Sequence, residues 1–207
     1  MPESEQRLYV SNKNESVRLF ESRFMEFFSH VHPATPLVLY LPVIGYMLYR
    51  SFTEGAMSIL AVIGLFILGV FSWTLLEYIV HRYAFHYEPK TRLGKALHFM
   101  IHGVHHDYPG DASRLVMPPV ISVPLAVFFY FVFTFAFGGL APAIYAGLVS
   151  GYVCYDMIHY ATHHFPMKRG IALWLKQYHL RHHYKDDHAG YGVSSPLWDY
   201  VFKTTRK

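Results

Sequence analysis

His98-Phe99-Met100-Ile101-His102-Gly103-Val104-His105-His106 packs four imidazoles into nine residues. On an α-helix these positions fall at i, i+4, i+7 and i+8, which stacks the rings on one face. Neutral imidazole is the commonest metal ligand, so the spacing points to a metal. Three further groups repeat the theme: His81 with His86, His159-x-x-x-His163-His164, and His179-x-x-His182-His183. A single histidine is ordinarily a satisfied polar residue, and that reading suits His30, His32 and His188. It does not suit four clusters in one chain of 207 residues with 15 histidines.

The remaining sequence tells how such groups meet. Apolar residues make up 53% of the chain and charged residues only 15%, too greasy for an ordinary soluble domain. Cys154 is the only cysteine, so no internal disulfide and no cysteine-based zinc module can form. In its apolar run it reads as a small buried filler. The net charge of +4 raises the possibility of nucleic acid. Basic residues beside long apolar stretches favour a membrane instead, with no nucleic-acid partner. The first thirty residues lack the apolar core of a cleavable signal.

Residues 1–14 are polar and read as loose, and 15–31 read as an amphipathic helix on the membrane surface. Pro33–Tyr49 is uncharged, with Pro36 and Pro42 expected to bend it. Ala56–Leu76 is uncharged over 21 residues, about the length that crosses a bilayer as helix. Leu115–Tyr155 has no charge over 41 positions, about twice that length, with a turn signal at Gly138-Gly139 and Pro142.

The expected architecture is an all-α integral membrane protein of one domain. It has an interfacial segment (1–32), a first membrane hairpin (33–80), a histidine segment (81–114), a second hairpin (115–158) and a histidine-rich cap (159–207). Of 18 Lys and Arg residues only Arg50 lies in a far-side connection. The positive-inside rule then sets the termini and all clusters at the cytoplasmic face.

Taking His81, His86, His102, His105, His106, His159, His163, His179, His182 and His183 gives ten ligands. Structural zinc uses about four, so ten call for two ions. Five imidazoles per ion leave an open position on each, which suits redox-active iron and O2, although zinc binds such ligands more tightly and is expected in purified protein. No catalytic residue beyond the ligands is indicated. Glu77, Asp107 and Asp156 stand near ligating positions as candidate partners that orient rings. His98 and His164 are extra to the count and join them as supporting candidates.

The chain resembles the fatty acid hydroxylase superfamily, and within it the fatty acid 2-hydroxylases. The resemblance rests on His81-Arg82-Tyr83-Ala84-Phe85-His86, on Leu97–His106, and on Ser113-Arg114-Leu115-Val116-Met117-Pro118-Pro119. It also rests on Gly151–Tyr160, Tyr178–Tyr184 and Gly190–Phe202, and covers residues 20–204. It implies four transmembrane helices, a cytosolic dimetal cap, the ten histidines as ligands, and hydroxylation at carbon 2 of a long acyl chain, free or in a sphingolipid. Many members carry a cytochrome b5 domain; about thirty residues before the first span leave no room for it here. A separate donor of cytochrome b5 or ferredoxin type is therefore expected. The setting is expected to be bacterial inner membrane in preference to endoplasmic reticulum. The alternatives are a sterol or carotenoid enzyme of the same superfamily and a non-enzymatic zinc-binding membrane protein.

Overall fold

The computed structural model describes residues 7–205, and the described residues form helices joined by loops. The long helices are α2 (Thr35–Thr53), α3 (Ile59–Val80), α6 (Pro119–Phe137) and α7 (Ala141–His164). Shorter ones are α1 (Arg23–Ser29), α4 (Arg92–His98), α5 (Val104–Asp107), α8 (Gly170–Tyr184) and α9 (Leu197–Val201). Ser58 and Thr91 cap α3 and α4 by accepting the N–H of Ala61 and Gly94.

Two stretches are long and apolar enough to cross a membrane: Ile59–Phe85, with 27 residues, and Pro119–His164, with 46. The second is folded in two at Gly138, whose φ of 53° is a left-handed turn conformation that glycine adopts at no steric cost. Tyr145 then donates to the carbonyl of Ala126 at 2.8 Å, tying α6 back onto α7. At the other turn Arg50 pairs with Glu54 at 2.5 Å and donates to Tyr130 at 3.1 Å. α2 continues through Pro42 to Thr53.

The core is built around α7. Fifteen of its 24 residues are buried, including Ala141, Ala143, Ala146, Gly147 and Gly151. Small residues let neighbouring backbones approach, and this governs the crossing with α3. A Cβ on Gly69 would overlap the carbonyl oxygen of Ile144, and one on Gly147 would overlap that of Phe66. α3 and α6 turn their bulky residues outward: Leu60 is 78% exposed and Phe135 is 95% exposed. Apolar residues outside and small residues inside are the reverse of a water-soluble helix bundle.

Three expectations change. Only Arg23–Ser29 of the 15–31 stretch is helical; Glu26 accepts the N–H groups of Leu19 and Phe20 at 2.9 Å each and holds the chain before it in a loop. The loose reading of 1–14 fails for its described part, because Val10 and Ser11 donate to the carbonyl of Asp107 at 2.9 and 3.1 Å. Residues 1–6 lie outside the described residues. Cys154 is exposed, not buried filler. Hydropathy cannot locate burial on a helix whose outer face is also apolar.

Candidate metal centre

Two π turns set the histidines. The first, His81–Phe85, extends α3, with the N–H of His86 bonded to the carbonyl of His81 at 3.1 Å. On an α-helix residues five apart point roughly 140° away from each other. The wider π turn brings them closer, and the His81 and His86 rings end with centroids 5.0 Å apart. The second turn, Phe99–Gly103, interrupts the helix between α4 and α5. The four imidazoles of 98–106 therefore do not share one face. His98 points away and its Nε2 approaches the carbonyl of Phe85 at 2.5 Å, bracing one π turn against α4.

The ring nitrogens converge in two groups, each with its atoms within 4.8 Å of one another. One contains His81, His86, His102, His106 and His182; the other contains His105, His159, His163, His179 and His183. The H-x-x-H-H pattern explains the sharing. In each of two such segments the i and i+4 rings enter one group, while the i+3 ring, about 60° from the first and 100° from the second around the helix, enters the other. Thus His102 and His106 face the first group and His105 the second, whereas His179 and His183 face the second and His182 the first. His106 and His183 stack at 4.2 Å where the groups meet.

Hydrogen bonding among the rings cannot account for this arrangement. His105 Nε2 lies 2.9 Å from that of His159 and 3.0 Å from that of His183, yet a ring nitrogen has a single in-plane proton or lone pair. His179 Nε2 is likewise 2.9 Å from that of His163 and 3.1 Å from that of His183. Metal–imidazole bonds of about 2.1 Å at right angles put neighbouring nitrogens about 3.0 Å apart, matching these spacings. Buried Nε2 atoms of His81, His102 and His106 have no hydrogen-bond partner. The donor set fits bound metal, and the two groups are consistent with a metal site.

Electrostatics agree. Burial, followed by the neighbouring imidazole of His182, lowers His86 to about 3. Burial and adjacent rings hold His102, His105, His106, His179 and His183 well below the ordinary imidazole range. The rings are neutral near pH 7, the form that ligates.

The loop 189–194 orients two of them. His81 Nδ1 meets the carbonyl of Tyr191 at 2.5 Å and His182 Nδ1 that of Ala189 at 2.9 Å, leaving each Nε2 to face inward. Two buried carboxylates hold this loop. Asp199 accepts the N–H of Tyr191 and Gly192 at 2.9 and 2.7 Å, and Glu77 accepts those of Val193 and Ser194 at 2.6 and 2.8 Å. Glu77 therefore reaches the rings through backbone. Asp199 is a residue the sequence reading missed; its signal was an acid in an otherwise apolar C-terminal helix.

The other supporting candidates lie outside the two groups. Asp107 uses its carbonyl, to hold residues 10–11. Asp156 is buried on α7, beside Tyr152. His164 stacks on Tyr160 at 4.8 Å. Asp156 lines a cavity of about 980 Å³ that reaches His102, His105 and His159 and is otherwise walled mainly by apolar side chains.

The description of the fatty acid hydroxylase family matches residues 66–204, the span that carries all ten converging histidines. The chain belongs to the fatty acid hydroxylase family. It is an oxidoreductase of that family, and its relatives agree over most of its length. A dihydroceramide fatty acyl 2-hydroxylase of Arabidopsis thaliana is 39% identical over 192 residues, covering 92% of this hydroxylase and 80% of the relative. The fatty acid 2-hydroxylase of Rattus norvegicus is 37% identical, over 91% of this chain and 56% of its own. A solved structure of full-length scs7p, with only its hydroxylase domain visible, superposes with a TM-score of 0.84 at 39% identity. That match covers 89% of this hydroxylase and 70% of the solved chain.

Proposed function

We propose that this hydroxylase places a hydroxyl group on carbon 2 of a long acyl chain carried by a sphingolipid such as a ceramide. The observation that carries the reading is the junction of two five-nitrogen groups with a large apolar cavity. The names of the relatives, a dihydroceramide fatty acyl 2-hydroxylase and a fatty acid 2-hydroxylase, support it.

The chain crosses the membrane four times, with α2 and α3 as one hairpin and α6 and α7 as the other. The positive-inside rule favours a cytoplasmic centre. His81, His86, His102, His106 and His182 hold one ion, and His105, His159, His163, His179 and His183 hold a second. Bound iron would supply oxygen activation, with O2 as co-substrate and two electrons from a redox donor; zinc in the same ligands is redox-inert.

The protein's own part is positional. Glu77 and Asp199 fix the 189–194 loop, and that loop aims His81 and His182. Leu115, Val116, Met117 and Tyr155 wall the inner cavity and keep water from the reacting carbon. Histidines just beyond the spans set the centre near headgroup depth. Carbon 2 lies only just below the headgroup, so little lipid must leave the bilayer.

Lipid mass spectrometry of cells expressing the wild-type chain tests this. The expected result is 2-hydroxy acyl sphingolipid with wild type and none with His105→Ala. Equal product from both, or none from iron-loaded wild type given oxygen and a working donor, contradicts it.

A further inference from the structure

α4 and the π turn after it carry Leu93, Leu97 and Ile101, and all three are open to the surroundings at 70%, 45% and 39% exposure. Lys90, Arg92 and Lys95, also exposed, flank that apolar row. The sequence reading treated residues 81–114 only as a histidine-bearing segment at the cytoplasmic face. A row of exposed leucines beside exposed cations is the make-up of a helix at a lipid–water boundary, where long basic side chains reach for headgroup phosphates.

The same residues have a second aspect. Leu97 and Ile101 line the cavity that leads to His102, His105 and His159. So do Phe24 and Phe28 of α1, which are 73% and 53% exposed. Val120 and Val123, in the first turns of α6, line it too and are 69% and 41% exposed. Side chains that line a cavity while remaining exposed mark its mouth. The mouth therefore lies between α1, α4 and the head of α6. Its third side continues into the outward-facing Phe128, Phe131 and Phe135 of α6, part of the longest apolar stretch of the chain.

We infer that α4 lies in the headgroup layer as a second interfacial helix, and that the gap between α1 and α4 is the portal through which an acyl chain passes from the bilayer to the metal centre. Lipid is the occupant because the mouth is continuous with the membrane-facing surface of α6. The flanking cations also suit anionic headgroups. Passage of substrate rests on the proposed acyl-lipid function; the position of α4 does not.

The position is tested without turnover. In a full-length Cys154→Ala background, Leu93→Cys carries an environment-sensitive fluorophore, and the protein is reconstituted in phosphatidylcholine–phosphatidylglycerol vesicles. Lipids brominated near the top of the acyl chain should quench the probe about twofold, with little quenching by aqueous iodide. Strong iodide quenching without bromolipid quenching overturns the placement.

The portal is tested with Leu97→Gln, a change at a half-exposed site. Conversion of bilayer-embedded ceramide should fall about tenfold, chiefly through KM. The loss on a short-chain, water-dispersed acyl amide should be clearly smaller, because that substrate leaves fewer methylenes at the mouth. Equal loss on both substrates, or no loss on either, overturns the portal. Failure of the wild type to hydroxylate any acyl lipid would strike the proposed function and leave the fluorescence result standing.

Discussion

Glu77 Oε1 accepts the backbone N–H of Val193 at 2.6 Å, joining residues 116 apart in sequence. Through this bond the end of α3 fixes the loop whose carbonyls orient His81 and His182. Both rings belong to the same five-nitrogen group. Glu77→Leu should therefore weaken metal binding at that group about 10–100-fold and spare the other. Glu77→Gln, which keeps an acceptor oxygen, should restore most of it. Metal content by mass spectrometry after mild chelation reads the difference. Equal loss from both groups contradicts the selective role.

Arg114 is the clasp of the N-terminal segment. Its guanidinium binds Glu26 at 2.8 Å, Ser29 Oγ at 3.2 Å and the carbonyl of Val17, with Asp111 at 3.5 Å. Its side chain is 3% exposed, so removing the charge leaves Asp111 without its arginine and Glu26 with only His30 at 3.1 Å. Because Glu26 is only partly buried and Asp111 sits at 3.5 Å, the loss should be about 1–3 kcal/mol. Arg114→Leu should speed tryptic cleavage at Arg18 and Arg23 severalfold. Unchanged cleavage would show that the clasp is dispensable.

The crossing of α3 and α7 has room for hydrogen only. Gly147→Ala should lower stability by about 1–3 kcal/mol, because the opposing atoms are backbone and cannot rotate away. Gly45 on α2 is the control, with nothing within 4 Å of an added methyl. Gly45→Ala should be neutral or stabilise by about 0.5–1 kcal/mol. Unfolding in mixed detergent compares them, and equal behaviour contradicts the close-packed crossing.

Acid should open the metal-free protein. In the unfolded chain each histidine takes up a proton near pH ~6.5. Burial keeps His86 neutral down to about 3. His102, His105, His106, His179 and His183 are held down in the same direction. Between those limits the unfolded state binds more protons, so stability rises with pH and is lost as pH falls below about 6.5. Circular dichroism should show helicity steady above pH 7 and falling steeply toward pH 4. A flat profile across that range would mean the rings are not buried as described.

Much of the fold was legible in composition. Uncharged runs located the long helices, and Gly138 with Pro142 located the turn between α6 and α7. The ten histidines now found in two groups were also visible, because histidine spacing on helices is a direct geometric statement. Their division was not. The spacing of His81 and His86 fits poorly on an α-helix, and that misfit was the available sign of a π turn. The second π turn left no such mark, so His98 was placed with its neighbours when it braces Phe85 instead. The burial of Cys154 was misread because hydropathy ranks lipid-facing and core positions alike. Asp199 was missed because its partners, the backbone N–H groups of Tyr191 and Gly192, carry no side-chain signature.

The central claim is that these imidazoles form two metal sites in one chain. Elemental analysis with native mass spectrometry of the reconstituted full chain tests it most directly. Wild type should carry two ions per chain, and His105→Ala and His86→Ala should each lose one, from different groups. A single ion in the fully loaded wild type, or no loss in either variant, would contradict the account.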